Sequence, residues 1–588
     1  MLTPSVLRWL AAAIVVVGVA RIGATYRIFT QTVDESSQIA CGMQLLQDHV
    51  YDIEVKHGPL ARVFVALGPY LAGLRRPYLG NKETDTYGEG NAILYADGLY
   101  WRNLTLARIG TLPFFLLACA VVWFWTAHVF GEPAALFALL IFTFIPPVLA
   151  HASLATTDMA ATATLVAALY SLTLWMENPG LWAALRMGFA AGLAVVAKLS
   201  AVLFVPGAAA LLLVLYFTCG AEAIRKRPLW WIGRDLAACM LALYLAMSAG
   251  YLFTRYPIQA VASHDTFDRY FGRLPLLRTP LHALLETPIP AGQVPGGVRD
   301  LALDNRGGHT SFFRGEWRHR GVWNFFPVLF LVKTPPPVLL LFDMGAVFLA
   351  MAFLKHRDWR GVALLVLPAT ILGLALPSNI NIGLRHVLGI YPFVAMVSGY
   401  AVERLWRNPR MSMARAILAG LGACLLISAI LTRSNYLAYF NWLAAGPPER
   451  IALDSDLDWG QDLNRLSEWL RAQGVEDVAI AYYGRADLSQ SGLPHFRGLE
   501  PYQKVQGWVA ISAYNRALPS PFETRPLTGT PPYYAIPWDF EKLPHQAGPF
   551  AWLAAYQPVA RVGQSIFVYH IPTESQRPRE LPSPGRQQ

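Results

Sequence analysis

The sequence predicts a mostly α-helical, polytopic membrane bundle that carries a small external α/β domain. Three observations lead there. Hydrophobic residues make up 54% of the 588-residue chain and charged ones only 15%, against about 25% charged in an ordinary soluble domain. Apolar stretches of roughly 17–25 residues, the length that crosses a bilayer, recur from the N-terminus to residue 431. The remainder, 434–588, breaks that pattern and turns polar.

In chain order, eleven spans are expected, near 5–25, 104–128, 133–150, 158–176, 184–199, 201–219, 235–253, 337–354, 361–377, 387–404 and 412–431. The first apolar run, 7–20, has the length of a signal peptide. Arg21 and Tyr26 follow it where a small-residue cleavage site would stand, so it reads as a retained helix. Lys198 and Ser200 form the only break between the fifth and sixth spans.

Charge in the short loops orients the bundle, because Lys and Arg collect on the cytoplasmic side. Alternate loops hold Arg225, Lys226, Arg227 and Arg234, then Lys355, Arg357 and Arg360, then Arg404, Arg407, Arg410 and Arg415. The intervening loop 151–157 has no Lys or Arg, and 378–386 has only Arg385. A cytoplasmic N-terminus follows, with 26–103, 254–336 and 432–588 outside. The formal charge of +10 is then a topology signal rather than a nucleic-acid footprint. Cys41, Cys119, Cys219, Cys239 and Cys424 show neither metal spacing nor a disulfide pattern.

Two domains result: a membrane module, 1–433, and an external domain, 434–588. In the second, strands are expected at 478–483, 507–512 and 565–570, with a helix near 461–471. Two outer stretches, 59–74 and 323–332, look interfacial rather than spanning.

Ionisable residues recur at the outer ends of the spans. Asp34-Glu35 opens the first outer loop, Lys56-His57 follows, and Arg108 stands at the outer end of the second span. His151 and Asp158 flank the next outer turn, Lys198 ends a later span, and Arg385-His386 end another. A charge inside hydrocarbon costs about 2.5–3.5 kcal/mol, yet a lysine or arginine at a helix end escapes most of that by snorkelling. Alone, Lys198 or Arg385 reads as a snorkelling anchor, and Asp34-Glu35 as a wetted loop start. Acids and bases together on one side point to an external cavity.

These motifs, in this order, resemble glycosyltransferase family 39 of the GT-C superfamily, which includes protein O-mannosyltransferases and aminoarabinose transferases. Val33-Asp34-Glu35 is similar to the family's Asp-Glu motif, and His57-Gly58-Pro59-Leu60 to its His-Pro-Pro-Leu, with Gly58 at the first proline. Ala107-Arg108 with Pro113, Thr157-Asp158 and Ala197-Lys198-Leu199-Ser200 resemble its next elements. The segment 381–386 with Tyr391-Pro392 resembles the Arg-His…Tyr-Pro of bacterial members, and Asp454-Ser455-Asp456-Leu457-Asp458-Trp459-Gly460-Gln461-Asp462-Leu463 a motif of their relatives.

The resemblance implies a bacterial inner-membrane enzyme that moves a sugar from a polyprenyl-phosphate donor to a hydroxyl of a lipid, glycan or protein acceptor, with inversion. Asp34 is expected as the base or acceptor-orienting acid, supported by Glu35. Lys56, Lys198 and Arg385 are expected to hold phosphate, Arg385 through a two-bond fork; His57, Arg108, Asp158 and His386 complete the substrate-binding set. The aspartates at 454, 456 and 458 do not fit a calcium loop, which asks for glycine at position six and glutamate at twelve, where Trp459 and Arg465 stand. They read instead as acids at a helix N-terminus. No cofactor is expected, although some related enzymes use a divalent ion. A transporter or flippase, an O-antigen-ligase-like enzyme and a non-catalytic envelope scaffold are the competing readings.

Overall fold

A computed structural model describes residues 3–80, 82–258, 280, 283, 285–407, 412–527, 530–537, 539–544 and 546–572. Arg410 and parts of the expected segments 254–336 and 434–588 lie outside these residues.

Seven helices are long and apolar enough to cross a membrane among the described residues: Pro4–Gly23, Tyr100–Phe130, Asp158–Glu177, Ala201–Thr218, Leu229–Gly250, Pro336–His356 and Met413–Leu431. Leu181–Ala197, Trp359–Ala375 and Tyr391–Arg407 are shorter. Each of the eleven expected spans corresponds to helix. The segment expected as one span over 133–150 is instead a bent pair, Glu132–Phe142 and Pro146–Ala152, at 70°. The cause is Pro146-Pro147, which removes backbone donors and forces Ile145 out of the helical region, to ψ 116°.

The direction of successive helices places 153–157, Lys198–Ser200 and 376–390 at one end of the bundle. Arg225, Lys226, Arg227, Arg357 and Arg407 fall at the other, where Arg8 pairs with Glu132 and Arg360 with Glu177. At the first end the helices Glu35–Asp48, Pro59–Leu71, Asp85–Tyr95 and Tyr100–Ile109 pack around Ile39, Met43, Val65, Ile93 and Leu104. Gly58 caps the second of them with φ −70°, a value proline would share. A Cβ there would nevertheless collide with the Val196 carbonyl, so the space decides the residue, not the dihedral.

The C-terminal part is an α/β unit. Its five-stranded sheet runs Ala560–Val562, Ile566–Ile571, Gly507–Ser512, Asp477–Ala481, His495–Gly498. The first three strands are antiparallel neighbours, and the last two pairings are parallel. The helix Leu463–Ala472 covers one face, with Leu463, Leu466 and Leu470 packed on Val478, Ile480, Ala510 and Val568. The other face joins the main core: Ala479, Val509, Ile511, Phe567 and Tyr569 belong to the same buried cluster as the membrane helices.

Candidate active site

The residues 376–390 do not continue a helix from Trp359–Ala375. They turn through Ser378–Gly383 into a short 3-10 segment, Leu384–Ile390, that leads into Tyr391–Arg407. That turn brings Arg385 to the start of two other helices. Its Nη1 donates to Asp34 Oδ2 at 2.6 Å and lies 3.8 Å from Asp158 Oδ2. Asp158 opens the helix Asp158–Glu177, and its Oδ1 accepts from Lys198 Nζ at 2.8 Å. Lys198 reaches it because its own backbone is extended at the break between two helices.

Asp34, Lys198, Arg385 and His386 all line one cavity of about 730 Å³, together with Lys56 and His57. Lys56 bridges Glu83 at 3.1 Å and Asp304 at 3.0 Å on the far wall. Burial opposes its charge, but those two carboxylates hold its pKa above the ordinary lysine value. His57 Nδ1 pairs with Glu54 Oε2 at 2.9 Å. Burial, with Lys198 and Arg385 close by, depresses the His386 pKa well below the imidazole range, so it stays neutral. The Nε of Arg385 and Nε2 of His386 are buried without a partner among the described residues. Lys56, Lys198 and Arg385 lining one cavity suit an anion.

Glu35 and Arg108 do not line this cavity. Both are fully buried and form a two-bond pair with each other, 2.8 Å at each contact. Glu35 also accepts from the Thr32 and Ala155 amides, and Arg108 donates to the Tyr26, Phe29 and Thr30 carbonyls. The bonds to Tyr26, Phe29, Thr30 and Thr32 tie loop 26–34 to the pair, which positions the segment that ends in Asp34.

The aspartates of the motif 454–463 are not gathered at a helix N-terminus. The N-cap of Leu463–Ala472 is Asp462, with no side-chain capping bond. Asp454, Asp456 and Asp458 sit behind the Arg385 turn: Asp456 Oδ1 accepts from the Leu384 amide, Asp458 Oδ2 from Tyr514 N, and Asp454 Oδ2 from Tyr483 Oη. Trp459 places its ring 4.4 Å from the Arg385 guanidinium. Sequence reasoning missed Trp459, Gln38, Glu83, Asp304 and His309 as site neighbours. Only Trp459 carried a signal, its place within the motif. Among the described residues no group of three His, Cys, Asp or Glu side chains is placed to hold a metal ion.

Residues 101–249, which include Arg108, Asp158 and Lys198, match the family model of dolichyl-phosphate-mannose-protein mannosyltransferases. No curated protein matches the chain. Among solved structures, the chain is similar to ArnT from Cupriavidus metallidurans bound to undecaprenyl phosphate, at 13% identity over 95% of this chain and 97% of that one, with a TM-score of 0.47. It is also similar to the archaeal oligosaccharyltransferase AglB from Archaeoglobus fulgidus in complex with an inhibitory peptide and a dolichol-phosphate, at 12% identity over 93% and 78%, with a TM-score of 0.44. The family match thus covers 101–249, part of a helical bundle whose acids and bases meet at one end.

Proposed function

We propose that the enzyme moves a sugar from a polyprenyl-phosphate donor to an acceptor hydroxyl at the outer face of a bacterial inner membrane, with inversion. In this reading 1–433 is the membrane module and 434–588 lies outside with the site. The observation that carries it is the Asp34–Arg385–Asp158–Lys198 chain at the cavity. Each acid there has a cationic partner, so the chain is balanced before substrate arrives. A donor phosphate competes for Arg385 and Lys198 and releases Asp34 to act on the acceptor.

Asp34 then accepts the proton of the acceptor hydroxyl, whose oxygen attacks the anomeric carbon from the side opposite the phosphate. The bond from that carbon to the phosphate oxygen breaks, and its electron pair leaves on the phosphate. Arg385 and Lys198 stabilise the charge there, with Lys56, His57 and His386 within the same cavity. Acceptor lipids, glycans and proteins all present the hydroxyl this chemistry needs.

The test is transfer by the purified enzyme in lipid bilayers. General-base catalysis is worth about 10²–10⁴-fold, so Asp34→Asn should lower turnover by that order while undecaprenyl phosphate still binds. Wild-type turnover in Asp34→Asn would remove Asp34 from the base role.

A further inference from the structure

The motif 454–461 belongs to the C-terminal part of the chain, yet its contacts go to both halves of the charged pair. On the Arg385 side, Ser455 Oγ donates to the Ile382 carbonyl at 2.6 Å, and the Leu384 amide donates to Asp456 Oδ1 at 3.2 Å. Gly383 lies so close to Ser455 that a Cβ would strike its hydroxyl. On the Asp34 side, the Thr30 amide donates to the Gln461 carbonyl at 2.9 Å, and the Val33 amide to that of Trp459 at 3.0 Å. Lys333, itself buried, fastens the motif from beneath by donating to the carbonyls of Asp456 and Leu437.

Trp459 occupies the centre of this arrangement. It is 1% exposed, its ring faces the Arg385 guanidinium at 4.4 Å, and its carbonyl holds the amide next to Asp34. A guanidinium over an indole face keeps its plane while its N–H groups remain free to donate at the edge. Arg385 can therefore exchange the Asp34 carboxylate for a phosphate without losing its support.

We propose that Trp459 is the positioning residue of the phosphate site, presenting the Arg385 fork to the donor while its backbone sets the Asp34 loop. This inference rests on the reading of Arg385 as a phosphate ligand. A desolvated cation–π contact corresponds to about 10- to 30-fold in affinity.

The probe is undecaprenyl phosphate without sugar, bound to the full chain in nanodiscs. W459L should weaken its binding about 10- to 30-fold, and W459F, which keeps an aromatic face, should stay within about threefold of wild type. In an R385A background W459L should add little further loss, because the cation that Trp459 supports is already gone. A merely structural tryptophan would instead give losses that multiply, and a lowered melting temperature in W459F as well. Wild-type affinity in W459L, or multiplying losses, overturns the inference. Wild-type affinity in R385A overturns the reading beneath it, whereas loss in R385A with retention in W459L overturns the tryptophan alone.

Discussion

Arg385 donates at 2.6 Å to Asp34 across 351 residues of sequence, and its value lies in its shape as well as its charge. A planar fork makes two directed bonds to a phosphate, where lysine offers a point charge. Charge-assisted bonds contribute about 1.5–3 kcal/mol, which is about tenfold to a hundredfold in rate. Arg385→Lys should lower transfer by that factor with an unchanged melting profile, and Arg385→Ala should lower it more. Arg385→Lys working at the wild-type rate in detergent would make the residue a helix anchor and leave the phosphate to Lys56 or Lys198. The contrast between Asp34 and Glu35 belongs to this scale too. The two are adjacent, but Asp34 faces the cavity while Glu35 is sealed against Arg108.

At the level of elements, the site exists because several helices stop at one height. Asp158 begins one, Lys198 ends another, and the turn before Leu384–Ile390 interrupts a third. Helix ends let charged side chains meet without crossing the apolar interior. The helix Pro59–Leu71 follows Lys56-His57 directly, and its height is set by Gly58 against Val196. Gly58→Ala must push these elements apart, a strain of about 1–3 kcal/mol for overpacking. The expected result is a lower melting temperature together with reduced transfer, since Lys56 and His57 shift with the loop. Unchanged stability and activity in Gly58→Ala would show that this contact yields easily. The tight contact also accounts for glycine at position 58, where the motif it resembles has proline. Proline suits the dihedral at position 58, but its ring has no room.

Across the whole molecule, the sheet domain and the bundle share one core, so acid–base events in the C-terminal part act on the entire fold. Burial pushes the Asp458 pKa up to about 8 and that of Asp462 up to about 6. In an unfolded chain both would ionise near about 3.9. Between those values the folded state holds protons that the unfolded chain has released, so this stability is full in acid and is lost as pH rises through 6 and 8. The melting midpoint should therefore fall from about pH 5 to about pH 9, and Asp458→Asn should flatten the upper part of that fall. A wild-type midpoint that rises over this range would contradict the buried-acid account. Sidedness is tested separately: a reporter fused after Arg433 should signal from the external compartment, and a cytoplasmic signal there would reverse the proposed orientation.

Hydropathy is a local and additive property, so the sequence by itself determined that the chain crosses a membrane several times and near which residues. It also held the acids and bases that line the cavity, because ionisable residues at helix ends stand out against an apolar background. Strands at 507–512 and the helix near 461–471 were legible from the same periodicities. Which charges meet was not. Side-chain direction depends on how each helix is rotated and which helix it packs against, and no local pattern encodes a contact between residues 34 and 385. Only the tertiary structure sent Glu35 and Arg108 inward to each other, bent the third span at Pro146, and slid the aspartates of 454–458 behind the Arg385 turn. Those outcomes follow from burial: a charge removed from water must find its partner in three dimensions, wherever the chain happens to supply one.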